Sequence, residues 1–530
     1  MHSARDGVEW RELSFAVNGA KWGAKRPPFP ILQPEKVLAL PLQLRLDEGY
    51  RYRLAGTERT GEYDCYVVKF EPVRQDSALY SGTVWIDRRT FARIKVHAVQ
   101  SGLPAPVISN DETYDYSLTT RIGAQPIFLF SGLSAKQILL VAGRNLLVEK
   151  RVTFTGFHVN TPEFEEEREA ARSSQAVMFR DTPQGLRYYV PQDGKRVIAD
   201  QPQRDLKALA MGATIDPSYD FPLPMFGIDY INFRVRNQET QLALLFAGVL
   251  AAGNIQRSHI GAKNLDGSLD FFAIAAPASD RVYGEHGEDP ATRLLTWPLS
   301  TGLNFGWQAS PFQKATLQYQ LRFDAYVRDR TTSPDFIVPA STLTNGFGGA
   351  WEYRRRGYSF VSNGAWYRRA SWHPFGFGEV SAPEYAKYGA SLSRDFFLDA
   401  FRKIHVNGSW FSGWQLDRFN TYQFGMFDDT RVHGIPASGV KLGEMALARG
   451  SYSLNIFEQY RIDVFAEHAW GRDVPGSGPW QAIPAFGIAV NTRAPWDTIL
   501  RVDAGKSFLP GRYDTLGSFT LQVLLLKPLR

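Results

Sequence analysis

From Ile228 onward the chain alternates between apolar and polar positions. Leu317, Tyr319, Leu321, Phe323, Ala325 and Val327 fall on one parity, and Gln318, Gln320, Arg322, Asp324 and Arg328 on the other. Thr301, Leu303, Phe305 and Trp307 oppose Gly302, Asn304, Gly306 and Gln308 in the same way. Near the end, Phe486, Ile488 and Val490 oppose Gly487, Ala489 and Asn491, and Phe519, Leu521, Val523 and Leu525 oppose Ser518, Thr520 and Gln522. A period of two sends successive side chains to opposite faces, so each run predicts a strand that is apolar on one side and wet on the other. About fifteen such runs, of about ten to sixteen residues each, lie between residues 226 and 528, with Asn254–Ala262 ambiguous. Closed bacterial barrels take even strand numbers, which makes about sixteen the natural reading. A soluble sandwich would need a second sheet against every apolar face. The fold class expected is therefore all-β: a transmembrane antiparallel β-barrel of about sixteen strands, preceded by an antiparallel β-sheet domain.

Residues 1–160 carry the strand-like segments of that preceding domain: Tyr50–Leu54, Asp64–Phe70, Thr83–Ile86, Phe91–Val99, Gln137–Val141 and Leu147–Phe157. Asp87-Arg88-Arg89-Thr90 reads as a hairpin turn between two of them. Glu165 to Arg172 is a charged, alanine-containing run that predicts a short surface helix. A hairpin is expected from Gly185–Val190 and Arg196–Ile198, turning through Asp193-Gly194. Pro222-Leu223-Pro224 then marks a boundary. The division read from this is a β-domain over 1–160, a linker with helix and hairpin over 161–225, and the barrel over 226–530.

Composition supports a membrane setting. Aromatic residues make up 14% of the chain, and Tyr and Trp suit surfaces that are apolar at one end and wet at the other. The longest apolar run, Leu242–Ala252, has eleven residues, the length of a spanning strand and far short of the ~20 that a spanning helix needs. A net charge of +6 spread along the chain gives no case for nucleic acid, and Arg354-Arg355-Arg356 reads as a solvated turn. Cys65 is the single cysteine, which excludes a disulfide framework and a thiolate metal site. The nine histidines lack metal-ligand spacing. No serine-nucleophile elbow or phosphate-cradling loop is present, and Asp428-Asp429 is a carboxylate pair of a kind common in long chains. The expectation is a protein that is not an enzyme, with no catalytic, cofactor or metal site. The start, MHSARDGVEW, does not read as a secretion signal, so export is expected to depend on a signal outside this sequence.

The stretch from Phe419 to Trp470 holds a long glycine-containing loop with Arg431-Val432-His433-Gly434, followed by strand-like runs. In the run after it, Ile462, Val464, Ala466 and Trp470 share one face and Arg461, Asp463 and Glu467 the other, with Phe465 the main exception. Five strands are expected after Gly434, at 443–456, 458–471, 481–492, 497–506 and 516–527. This arrangement resembles the outer-membrane assembly and translocation superfamily of BamA-like and TamA-like proteins and the bacterial surface antigen domain. In that family a loop tucks into a sixteen-stranded barrel carrying a Val/Ile-Arg-Gly-Tyr/Phe signature, and five strands follow. Here His433 stands at the arginine position and Ile435 at the aromatic one. The family's arginine is held by the acid of a Val-Phe-x-Asp-x-Gly element, matched here by Val464-Phe465-Ala466-Glu467-His468-Ala469. The resemblance thus implies a lock between His433 and Glu467, pH-sensitive because imidazole titrates near neutrality, with Arg431 able to take over the role. Residues 1–160 lack the paired helices of the periplasmic modules that client-handling members carry.

The passage YSGTVWIDRRTFARIKVHAVQ resembles periplasmic lipoprotein-sorting (LolA/LolB-like) sheets, which hold acyl chains. Together the resemblances imply a bacterial outer-membrane protein with a periplasmic N-terminal domain. It would act in insertion or transport of protein or lipid, with outer-membrane lipids and protein or lipoprotein clients as partners. The alternative is a lipid- or lipoprotein-binding envelope protein whose N-terminal sheet holds acyl chains and whose barrel is an anchor or passive pore.

Overall fold

The computed structural model describes residues 2–4, 7–14, 16–17, 20–21, 49–73, 80–101, 107–141, 144–182, 185–192, 195–199 and 205–529. Within the last range, residues 220, 238, 263, 356, 399–401, 426–429, 457–459, 474–477 and 497 are excepted. Asp428-Asp429, the Asp193-Gly194 turn and Arg356 therefore lie outside the described residues.

The alternating segments close into one antiparallel barrel. Its strands are β1 (Asp205–Ile215), β2 (Leu223–Asn232), β3 (Thr240–Ala247), β4 (Leu250–Ser258) and β5 (Leu265–Ile274, resumed at Ala278–Asp280). β6 (Leu294–Ser310), β7 (Gln313–Arg328), β8 (Thr342–Arg355), β9 (Tyr358–Arg369), β10 (Glu384–Phe397) and β11 (Arg402–Trp414) follow. After a long loop come β12 (Glu444–Ile456), β13 (Tyr460–Arg472), β14 (Gln481–Ala494), β15 (Thr498–Ser507) and β16 (Phe519–Leu529). Both halves of β5 pair with β6, so the count is sixteen. Closure comes from β1 on β16, where nine registered pairs run from Lys207↔Leu529 to Ile215↔Leu521.

The outward parity is apolar and bare: Leu317 is 71% exposed, Phe305 59% and Phe347 58%. So large an exposed apolar surface is costly in water and suited to lipid. No described helix is long and apolar enough to cross a membrane. From β5 onward, connections alternate between short turns at one end and long loops at the other, the pattern of outer-membrane barrels with their short turns toward the periplasm.

Two sequence expectations about the barrel change. It begins at Asp205, ahead of residue 226, because β1 and β2 lie partly in the segment read as linker. β1 hides its parity: Ala208 and Ala210 are buried inward while Met211 and Ile215 are exposed outward, so both faces are apolar. Leu242–Ala252 is not one spanning strand but the hairpin of β3 and β4, turning at Gly248 with φ +63°. Only a residue that tolerates positive φ makes that turn cheaply.

Ahead of the barrel, seven strands form an antiparallel meander from Tyr50–Thr60 to Arg144–Thr153. Phe70, Tyr80, Val84, Val96, Ala98 and Tyr114 cluster on one face. The strand Val107–Ile122 escaped the sequence reading because Asn110, Asp111 and Glu112 interrupt its apolar positions. Asp87 shapes the expected turn, accepting from the Thr90 N–H at 2.8 Å and the Thr90 hydroxyl at 2.6 Å. The expected helix spans Phe164–Ser173. The hairpin after it is no linker: Met178–Thr182 pairs with Gly7–Arg11, making a five-stranded sheet from the two ends of the N-terminal region. Glu9 is its anchor, buried and bonded to Arg168, Arg172 and Arg180.

Candidate functional site: a loop locked inside the barrel

β11 ends at Trp414 and β12 starts at Glu444, and the chain between them folds into the lumen rather than out over the rim. The inner wall explains the docking. Toward the long-loop end, Met445, Leu447, Ala469, Ile483 and Ala485 make an apolar lining, and Phe424, Val432, Ile435, Val440 and Leu442 of the loop pack on it. Each such side chain taken from water contributes on the order of 1.5–3 kcal/mol, which offsets the entropy of ordering a long loop. Further along this wall the inner parity turns polar, with Glu467 and Asp463 of β13, Asn491 of β14 and Asp503 of β15 all buried. The loop tip comes to rest at this apolar–polar boundary.

There Glu467 Oε2 accepts two hydrogen bonds, from the His433 backbone N–H at 2.7 Å and at the ring Nδ1, 2.8 Å away. The other ring nitrogen, Nε2, lies 3.4 Å from Asp503 Oδ1. An ionised carboxylate only accepts, so carboxylates facing both ring nitrogens favour a proton on each. Burial disfavours that charge, but Asp503 and Glu467 outweigh it and raise the His433 pKa above its ordinary 6.5. Arg431 does not replace His433. It bonds Asp503 Oδ1 at 3.0 Å, so the two cations share Asp503 while His433 also holds Glu467. Arg501 also bonds Asp503, at 2.9 Å. Arg449 stands opposite Glu467 in the β12–β13 ladder.

Phe465, the residue that broke the alternation of β13, faces inward and stacks on His433, ring centroids 4.1 Å apart. Three glycines make the fit possible. Gly434 takes φ +74°, and a Cβ there would come within 2.4 Å of the backbone of Lys506 and Ser507. A Cβ on Gly487 would meet the His433 ring at 2.4 Å, and one on Gly505 would meet His433 Cβ at 2.5 Å. Gly434 is tied on both sides, donating to the Thr520 hydroxyl at 3.0 Å and accepting from the Ser507 hydroxyl at 2.7 Å.

Further anchors hold the rest of the loop. Asp417 takes a bidentate pair from Arg369 at 2.6 and 3.0 Å and a bond from Ser381 at 2.7 Å. Arg418 and Lys441, from opposite ends of the loop, both bond Asp280. The Ala437 N–H donates to Asp216 at 3.0 Å and the Ser438 N–H to the Ser218 hydroxyl at 2.8 Å, both on the β1–β2 connection.

The structure thus brings together Arg431, Val432, His433, Gly434 and Glu467. Sequence reasoning missed Asp503 as the second carboxylate, Phe465 as the stacking partner, and Gly487 and Gly505 as clearance. Phe465 carried a signal in its broken parity; Asp503 carried none. Among the described residues, no cluster of three or more His, Cys, Asp or Glu side chains is placed to hold a metal ion.

No family model and no curated protein matches the chain. Solved structures do. CdiB from Acinetobacter baumannii is 11% identical, with 63% of this chain and 61% of that chain covered at a TM-score of 0.42. BamA from Haemophilus ducreyi lacking POTRA domains 1-3 is 10% identical, with 69% and 77% covered at 0.42. CdiB from Escherichia coli is 12% identical, with 64% and 66% covered at 0.43. The match therefore spans about three fifths of the length of the Acinetobacter protein. In architecture the chain is a closed sixteen-stranded barrel with an antiparallel sheet ahead of it, and CdiB and BamA structures are what it is similar to.

Proposed function

We propose that this chain is an outer-membrane barrel of the assembly and translocation type, acting in insertion or transport of protein or lipid, with the loop between β11 and β12 as a releasable plug. The observation that carries the reading is the loop itself, folded inward and fixed by charge pairs at its tip and its base. A passive pore gains nothing from filling its own lumen with an apolar core. A device that must stay shut between events does. The N-terminal meander lies on the periplasmic side and receives clients there, and no side chain of the plug is assigned a chemical step.

The test is conductance of the full chain in planar bilayers. The intact protein is expected to show low, intermittent current, and deletion of residues 419–441 a large steady one. Steady full conductance from the intact protein would refute the plug and favour a diffusion pore. A second reading, in which the N-terminal sheet holds acyl chains, rests on the aromatic cluster of Phe70, Tyr80 and Tyr114 on one face of the meander.

A further inference from the structure

A hollow of about 770 Å³ indents the barrel wall across β9–β14, and nothing in the plug explains it. It lies on the outward parity. Ladder register sets its shape: Tyr358, Arg394, Val406, Gly450, Ala466 and Phe486 form one continuous cross-strand row. The neighbouring row runs Leu392, Gly408, Ala448, His468, Pro484. Small residues therefore make the floor at the middle of both rows, and larger ones stand at the ends. The floor is open: a Cβ on Gly408 would meet nothing within 4 Å, and one on Gly450 only the Ala466 carbonyl at 3.8 Å.

The rows are inclined to the barrel axis, as strand tilt requires. At one end, Tyr358 opens β9 beside the short turn before it, and Arg394 lies three residues before the end of β10. The same row continues past Phe486 to Lys506 and Phe519, beside the long loop between β15 and β16. The hollow thus starts at the short-turn, periplasmic edge and climbs toward mid-wall. From Arg394 to Phe486 is four strand spacings, about 19 Å along the wall, which a strand tilt of about 40° turns into a climb of about 12 Å, within one leaflet's share of a ~30 Å hydrocarbon core.

Its lower end carries a cation. Arg394 rests 4.3 Å from the ring centroids of both Tyr358 and Phe396 and donates to the Tyr358 hydroxyl. Among the described residues no carboxylate pairs with it, and the one carboxylate in the lining, Glu467, turns inward to His433.

We propose that this hollow is a binding site for one anionic phospholipid of the periplasmic leaflet, its phosphate on Arg394 and one acyl chain over Gly408, Gly450 and Ala466. An apolar trough alone accepts any chain. The single unmatched guanidinium at the headgroup end selects negative charge. The site is independent of the plug, so neither proposal stands or falls with the other.

The test is native mass spectrometry of the delipidated full chain with phosphatidylglycerol or phosphatidylcholine added back, folding being checked by cold-detergent migration. One retained phosphatidylglycerol is expected on the intact protein, with at least tenfold less phosphatidylcholine. Arg394→Gln is expected to abolish that preference, and Gly450→Leu to lower retention of both lipids tenfold. If Gly450→Leu fails to fold, Gly408→Leu, with open space above it, decides. Equal retention in intact protein and variants, or no preference for the anionic lipid, would overturn the site.

Discussion

Raising the pH should loosen the plug at its tip. The His433 pKa is raised in the folded state, so the stabilisation it lends is complete below the unfolded value of ~6.5 and is lost as pH climbs through the folded value. The groups facing the ring are Glu467 from β13, Asp503 from β15 and the stacked Phe465; Arg431 bonds the same Asp503 oxygen that faces the ring, and Arg501 bonds the other. Neutral His433 leaves Glu467 a hydrogen bond from an uncharged donor in place of an ion pair, a loss on the order of 1–2 kcal/mol. His433→Ala is harsher, because it strands a buried carboxylate, and should cost about 3 kcal/mol. At 1.4 kcal/mol per tenfold, that is on the order of a hundredfold more released loop. Two amides report it directly, those of His433 and Gly434, which donate to Glu467 and Thr520. Their hydrogen exchange, corrected for intrinsic rate, should accelerate about tenfold above the transition, and His433→Arg should remove the pH dependence because guanidinium does not titrate. Exchange that stays flat from pH 6 to 9 in the intact protein, or an equal slope in His433→Arg, would refute the reasoning.

Swapping the pair, His433→Glu with Glu467→Arg, should recover part of the stability lost in either single variant; purely additive losses in a double-mutant cycle would show that the two do not interact. Gly505→Ala should expel the tip without touching any charge, since its Cβ would lie 2.5 Å from His433 Cβ, and bilayer conductance should rise as it does on plug deletion. Arg369→Lys breaks a bidentate pair at the base of the loop and should cost about 2 kcal/mol, read as a lower temperature for loss of the cold-detergent band. In the five-stranded sheet, burial pushes the Glu9 carboxyl up, but Arg172 and Arg168 bring it down to about 2. Its contribution is then present above about 4.5 and fades as pH falls toward 2; Glu9→Gln should flatten the acid limb of unfolding followed by Trp10 fluorescence.

The five strands after the plug were legible to within three residues at each end, because each has a bare apolar face on one side and water or polar groups on the other, which forces a period of two. Legibility failed where that contrast is missing. β1 lines a packed interior and is apolar on both faces. The β3–β4 hairpin turns within an unbroken apolar run, where Gly248 was the lone clue. Val107–Ile122 is a strand whose buried face is partly polar, with Asn110 and Glu112 both buried.

Alternation along the chain was enough to give the barrel, its approximate strand number and the loop's place before the last five strands, because these follow from local periodicity; Glu467 as the acid for His433 came from the family resemblance. The folded arrangement alone settled that Arg431 and His433 share Asp503 while His433 also holds Glu467, that Phe465 points inward, and that Gly487 and Gly505 leave room for the ring. It also decided the lipid-facing trough, whose small residues come from separate strands and align only through register. Periodicity tells a residue which face it occupies. Which residues of other strands meet it there depends on stagger and closure, and the closing of sixteen strands on themselves fixes these for the barrel as a whole.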